Sequence, residues 1–413
     1  MRLSWQMLHD LDREHGDAFF LLDLEAFRAN YREFLGAFRA IYPKSQIAYS
    51  YKTNYIPRLC REVDALGGYA EVVSAMEYEL ALRVGVDPQR IIFNGPCKRA
   101  CELERALLAG SIVNLDSTHE VALVERIARR WPQATMTVGL RCSFSLEDNH
   151  ASRFGLDVES DLRPSLQRLR EIENCTLAGL HCHFTTGHRS LESYALRTRR
   201  LLELSAACFP DDQPRFIDIG GGFFGKMAAG LRSQYAFPVP SYEGYADAIA
   251  SEVAAAYPEA DGPELILEPG TALTADAVRF VAKVINLKRV GSRALAFVAG
   301  SIHNIKPTLH QKQLPLTVVP ASEDGDEQAE MPVDIVGYTC MEHDCLYRGC
   351  KEAMRPGDYV VFENVGAYTI VMQPPFIRPA PAILACEGDH SFTVTRRAEQ
   401  LDDLLTTYSF AVK

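Results

Sequence analysis

Eight short apolar runs, each followed by a stretch of helical patterning, constrain this chain more than any other feature. They cover residues 46–52, 69–74, 91–95, 112–116, 135–142, 176–184, 215–222 and 265–270. They are rich in Val, Ile, Leu and aromatic residues, as strands buried on both faces require. Eight β-then-α units in succession predict an α/β fold, a closed (β/α)8 TIM barrel. Such a barrel gathers the C-terminal ends of its strands at one mouth. Lys52, His183, Gly220 to Gly222 and Glu268 all fall at strand ends, so the chemistry is expected at that mouth.

At 413 residues the chain is too long for a barrel of roughly 250 residues alone. After residue 270 the rhythm changes. Apolar runs at 277–290, 293–301, 314–320, 331–340, 358–369 and 382–397 follow one another without helices, joined by turns or acidic linkers such as 322–330. This pattern predicts a C-terminal antiparallel β domain. The expected division is a barrel over 20–271 and a β-sheet or β-barrel domain over 272–413, joined by residues 1–19. Residues 18–23 read as a strand leading into a first barrel helix over 24–41, and residues 399–408 as a closing helix.

A net charge of −11 without a block of Lys or Arg argues against nucleic acid or an anionic membrane as partner. The first ten residues lack the pattern of an export signal, and no stretch approaches the ~20 apolar residues of a membrane span. A cytoplasmic protein is expected. Eleven scattered cysteines then read as small buried hydrophobes and not as a disulfide framework. Cys340, Cys345 and Cys350 lack zinc-knuckle spacing, so no metal is expected.

Lys52 ends the segment Ile-Ala-Tyr-Ser-Tyr-Lys-Thr-Asn (47–54). Apolar surroundings disfavour the charged ammonium and favour an amine able to condense with an aldehyde, although a strand-end lysine can also simply reach water. Phe-Ile-Asp-Ile-Gly-Gly-Gly-Phe-Phe (216–224) places three glycines directly after a strand. Glycine lets backbone N–H groups close on an anion, and a helix start beyond would favour phosphate; a tight barrel turn explains two of the glycines almost as well. Glu268-Pro-Gly270 adds a carboxylate and another glycine at the next strand end. A phosphate cradle beside an amine and a carboxylate points to pyridoxal 5'-phosphate. Lys52 would take its aldehyde, Gly220, Gly221, Gly222 and Gly270 its phosphate, and Glu268 its ring nitrogen, keeping the ring a strong electron sink for decarboxylation.

These residues resemble the barrel-type (alanine-racemase-like, fold-type III) pyridoxal phosphate decarboxylases, among them ornithine, diaminopimelate and carboxynorspermidine decarboxylases. The resemblance runs from about residue 19 to 383, with the motifs in the expected order. It implies that Glu71 is the family's acidic position, that Arg141 holds the phenolate side of the cofactor, and that His183 stacks on the ring. Thr186 takes the place of a serine near the phosphate, and His181 is a neighbouring core residue. In the second domain Cys340 and Asp344 resemble a Cys-x-x-x-Asp motif, and Tyr368 a phosphate contact. Family members are head-to-tail dimers, so a homodimer is implied in which Cys340 enters the partner's barrel mouth and protonates the product carbon, with support from His183. A merely buried Cys340 is the alternative.

The pattern departs from its better-known relatives around the substrate. Met341 stands where they carry an acidic residue for a distal ammonium group, Thr271 replaces the arginine after Glu-Pro-Gly, and His310 replaces a tyrosine. Glu342 can replace the acid by a one-residue shift. Lys306, His310, His343 and Arg378 would suit a carboxylate-bearing tail, or be ordinary surface residues. The segments 371–377 and 185–188 look more like decarboxylases of carboxylate-siderophore assembly, which act on citryl-amino acids. The expected function is therefore α-decarboxylation of such a conjugate. Diaminopimelate decarboxylase is the alternative, and a racemase or a catalytically inactive regulatory homologue are the remaining readings.

Overall fold

The computed structural model describes residues 3–146, 152–184, 186–259, 261–322, 328–388 and 391–410. Eight strands, Ser45–Ser50, Tyr69–Val72, Ile91–Phe93, Ile112–Leu115, Met136–Ser143, Cys175–His181, Phe216–Asp218 and Glu264–Leu267, pair in parallel in chain order. The last pairs with the first, Leu265 opposite Ser45, which closes the barrel. Each expected apolar run overlaps one of these strands.

The barrel interior is filled by side chains. Ala48, Ile92, Ala178, Phe216 and Ile266 form a buried cluster contributed by five strands, and Phe216 is its bulkiest member. Gly139 and Gly179 make room for it, since a Cβ at either would press on the Phe216 ring at 2.9 and 2.7 Å. Four helices between strands begin on a serine, at Ser74, Ser117, Ser190 and Ser241. Each hydroxyl accepts the backbone N–H three residues on, satisfying a donor that the helix itself leaves free.

The barrel unit comprises Ala29–Phe224 and Phe237–Leu273, and a second unit comprises Met1–Arg28, Gly225–Ala236 and Thr274–Lys413. The second unit thus extends further into the N-terminal region than residue 19, and takes in a segment from the middle of the chain. The strand Ala18–Asp23 explains the first difference. It lies between Val278–Val290, antiparallel, and Ala382–Glu387, parallel, with Leu8, Leu11, Phe19 and Leu21 in one core with Val281, Tyr359 and Leu384.

The nine-stranded sheet is mostly antiparallel, as expected, but two pairs are parallel: the one just named, and Arg293–Val298 with Gln328–Val336. A strand over Cys345–Glu352 pairs with Gln328–Val336 at the sheet's end and was not expected. The run 382–397 is two strands, Ala382–Glu387 and Ser391–Arg396, and the closing helix is Leu401–Leu405. Most of the acidic linker, residues 323–327, lies outside the described residues. No helix among the described residues is long and apolar enough to cross a membrane.

Candidate active site

Within the barrel unit the strand ends bring one connected polar network together. Lys52 follows the first strand in a short turn, Tyr51–Thr53. Its Nζ donates to Glu71 Oε2, at the end of the second strand, and approaches Ser50 Oγ at 3.4 Å. The expected apolar setting therefore contains a carboxylate. Glu71 is 1% exposed, whereas the Lys52 side chain is 26% exposed, so the amine stays within reach from the mouth.

Asn94, at the end of the third strand, bridges the two carboxylates. Its Nδ2 donates to Glu71 Oε1 at 3.0 Å and to Glu268 Oε1 at 2.5 Å, while its Oδ1 accepts from Asn114 Nδ2 at 2.8 Å. Lys52 and Glu268 are linked in this way through Glu71 and Asn94. No role for Asn94 was read from the sequence, although its strand end was noted. Its function depends on partners that are 23 and 174 positions away.

Glu268 is buried, which opposes its charge, yet His181, His183 and Lys52 hold its carboxyl well below the usual range. His183 Nδ1 lies 3.0 Å from Glu268 Oε2, and His181 Nε2 3.4 Å from Oε1. Burial pushes His183 down to about 4, against the pull of Glu268. The neighbouring Asp218 is fully buried, and burial followed by the Glu268 charge raises it far above the usual carboxylate range. One of this pair is thus ionised and the other protonated. His181, His183 and Glu268 have donor atoms within 4.8 Å of one another. That spacing could serve a cation, but the Gly221 N–H points to His183 Nδ1 at 3.0 Å and Asn94 occupies Glu268.

The triple glycine follows the seventh strand. Gly220 and Gly222 have φ of +71° and +93°, a region that side chains other than glycine seldom adopt. At Gly220 a Cβ would lie 2.5 Å from the Cys182 carbonyl, and at Gly221 it would overlap the Glu268 carbonyl. At Gly270 it would overlap Thr53. The glycines are therefore required by close packing of the turn on the neighbouring strand ends, which holds bare backbone at the mouth, where a phosphate could approach it. The helix start expected directly beyond it is absent, because residues 219–228 are irregular. The Gly220 N–H is held by Asp218 Oδ1 at 2.9 Å and the Gly221 carbonyl by the Tyr194 hydroxyl at 3.0 Å.

Arg141 donates to Asp116 Oδ1 at 3.0 Å and to the His183 carbonyl at 2.9 Å, fixing the backbone of the histidine. Thr186 Oγ1 accepts from Arg189 N and pairs with Ser193 Oγ, so its hydroxyl is tied into the start of the helix Leu191–Cys208. Thr185, quoted in the resemblance, lies outside the described residues.

The remaining candidates belong to the second unit. Cys340 is exposed, with Met341 half-buried and Glu342 and His343 exposed beside it. Asp344, the acid of the Cys-x-x-x-Asp motif, is bonded within its own unit. Its Oδ1 accepts from Ile302 N at 2.7 Å and its Oδ2 from Thr339 N at 3.0 Å and Thr339 Oγ1 at 2.6 Å, so it shapes the cysteine loop. Tyr368 is exposed at φ +55°, a strained position for an aromatic residue. Lys306, His310, His343 and Arg348 line a cavity of about 610 Å³, and burial lowers the Lys306 amine below its usual value. Arg378 instead lies over the Tyr338 ring, 3.6 Å from Asp17.

A family model described as pyridoxal-dependent decarboxylase, pyridoxal binding domain, matches residues 27–275. Diaminopimelate decarboxylases of Aquifex aeolicus and Mycobacterium leprae are 25% and 27% identical to the chain. They cover 92% and 98% of it, over 90% and 89% of their own lengths. Among solved structures, diaminopimelate decarboxylase from M. jannaschii in co-complex with L-lysine is similar over 97% of this chain and 94% of its own, with a TM-score of 0.86 at 23% identity. An arginine decarboxylase of Paramecium bursaria Chlorella virus reaches a TM-score of 0.72 at 20% identity, over 90% of this chain and 97% of its own.

Proposed function

We propose that this chain, which belongs to the pyridoxal-dependent decarboxylase family, removes the α-carboxylate of diaminopimelate or of a close amino acid with a carboxylate on its tail. The observation that carries the site assignment is the Lys52–Glu71–Asn94–Glu268 chain of contacts beside the glycine turn. The donor set and the cradle fit pyridoxal phosphate. Lys52 Nζ would hold the aldehyde end, Glu268 the ring nitrogen, His183 the ring, and Gly220 to Gly222 with Gly270 the phosphate, and the family resemblance would add Tyr368 to the phosphate contacts. When bound, the cofactor supplies an electron sink for the pair that carbon dioxide leaves behind.

The chain's own residues do the rest. Glu71 Oε2 receives the proton that Lys52 Nζ must lose before its lone pair can attack a carbonyl. Glu268, kept ionised while buried, would favour a proton on a ring nitrogen placed against it. Neutral His183 can lie against a cationic ring without repelling it. Arg141 keeps the His183 backbone in place, and Thr186 organises the helix beside the turn. The proton that replaces the carboxylate comes from the thiol of the partner's Cys340, in a homodimer whose two sites each draw on both chains.

Diaminopimelate is favoured over the citryl conjugate of the siderophore reading because the relatives named above are diaminopimelate decarboxylases. The basic cavity of Lys306, His310, His343 and Arg348 supports a carboxylate tail, and it is what keeps the citryl conjugate as the second reading. Release of carbon dioxide from diaminopimelate, ornithine, lysine and citryl-diaminopropionate decides between them. Fast turnover of diaminopimelate supports the proposal. Turnover of the citryl compound alone would shift it to the second reading, and exchange of the α-hydrogen without carbon dioxide would replace decarboxylation by racemisation.

A further inference from the structure

Arg197 is the most unusual buried group in the barrel unit. The residue is 0% exposed, and its Nε and both terminal nitrogens lack a well-formed hydrogen bond among the described residues. No carboxylate pairs with it among them. A guanidinium cannot shed its charge at physiological pH, so a buried one without a counter-charge is costly. Its guanidinium lies between two aromatic faces, 4.6 Å from the centroid of Phe184 and 4.0 Å from that of Tyr194. Cation–π contacts recover part of that cost when desolvated, and they do not supply the hydrogen-bond acceptors its N–H groups lack.

The place of this cation in the fold indicates what it serves. Arg197 is on the helix Leu191–Cys208, one turn after Ser193 and three residues after Tyr194, and all three are buried. Ser193 Oγ meets Thr186 Oγ1. The Tyr194 hydroxyl, which lies beside the guanidinium, donates to the Gly221 carbonyl, and the Tyr194 ring stacks on Phe223 at 5.0 Å. Arg197 therefore stands behind the Gly220–Phe223 turn, reached through a single side chain. Around that turn Thr186, Ser193 and Tyr194 contribute neutral groups, and the other cation that acts on Tyr194, Arg189, is only half-buried and lies over the Phe224 ring, so Arg197 is the fully buried positive charge on this side.

We infer that Arg197 is the buried counter-cation of the cofactor's phosphate group, supplying from behind the glycine turn the positive charge that its backbone donors lack. The inference rests on the proposed reading of the barrel mouth as a pyridoxal phosphate site. It assigns to Arg197 a part of the affinity that depends on the phosphate alone.

The test compares pyridoxal 5'-phosphate with pyridoxal, which has the same ring and aldehyde but no phosphate. Each is titrated into wild type, Arg197→Met and Arg197→Lys, reading visible absorbance and the thermal melt of each complex. Arg197→Met is expected to weaken the phosphorylated aldehyde at least tenfold and pyridoxal less than twofold. Ligand-free Arg197→Met is expected to melt no lower than wild type, because an unpaired buried charge has been removed, and Arg197→Lys to recover most of the phosphate-dependent affinity. Equal losses for both aldehydes, a lowered ligand-free melt, or a lysine variant no better than the methionine one would overturn the inference and leave the site reading standing. A wild-type protein that takes neither aldehyde would overturn the site reading and the inference with it.

Discussion

In the proposed mechanism the chemistry turns on Lys52 and Glu268, and the structure joins them by Glu71 and Asn94. Lys52→Ala removes the amine and should abolish both cofactor capture and turnover while the barrel stays folded; wild-type turnover in that variant would contradict the assignment. His183 makes a separate prediction through its protonation. Its folded value of about 4 lies below the usual 6.5 because of burial, so between those values the unfolded chain binds a proton that the folded chain does not. Stability is then fully present above about pH 6.5 and is lost as pH falls toward 4, by on the order of 3 kcal/mol. Urea unfolding of wild type and His183→Gln between pH 4 and 7 should give a shallower slope for the variant, and parallel slopes would contradict this. Lys52, His183 and Glu268 were legible because each falls at the end of an apolar run, where a barrel exposes its side chains to the mouth, whereas Glu71 was legible only through the family resemblance. Asp218 and Asn94 were not. Their roles follow from contacts across the barrel, and a local sequence window holds no trace of them. For Asp344 the motif gave a position but not its partners, since a motif position does not show where its oxygens point.

At the level of elements, the turn after the seventh strand carries the tightest constraints. Gly220→Ala forces a side chain into a left-handed backbone and against the Cys182 carbonyl, so it should cost about 2 kcal/mol and weaken cofactor binding, by denaturant titration and absorbance respectively. Unchanged stability and binding would show that the turn tolerates a Cβ. Inside the barrel, Phe216→Ala empties the space that Gly139 and Gly179 provide and should cost about 3–5 kcal/mol, measured in the same titration; a loss below about 1 kcal/mol would mean the interior collapses around it. The eight barrel strands were legible because burial on both faces makes each a continuous apolar run. The strand Cys345–Glu352 was not. It lies at a sheet's end with arginine, lysine and glutamate on its exposed side, and an edge strand needs only one apolar face. The parallel partners of the N-terminal strand were hidden too, because periodicity reports burial and says nothing about which strand lies alongside.

For the whole molecule, the proposed homodimer has a consequence that a monomer cannot reproduce. If each mouth combines Lys52 of one chain with Cys340 of the other, Lys52→Ala and Cys340→Ala are each nearly inactive alone, yet mixing them after dissociation and reassociation should restore about a quarter of wild-type activity by random assortment. Failure to recover any activity, with mixed dimers demonstrated, would place both groups in one chain. The claim beneath all of this is that one amine captures the cofactor. Borohydride reduction of the cofactor-loaded protein, followed by peptide mass spectrometry, reads it directly. The account predicts a single phosphopyridoxyl label on Lys52, absent when Lys52 is replaced; a label confined to another lysine, or none at all, would contradict it.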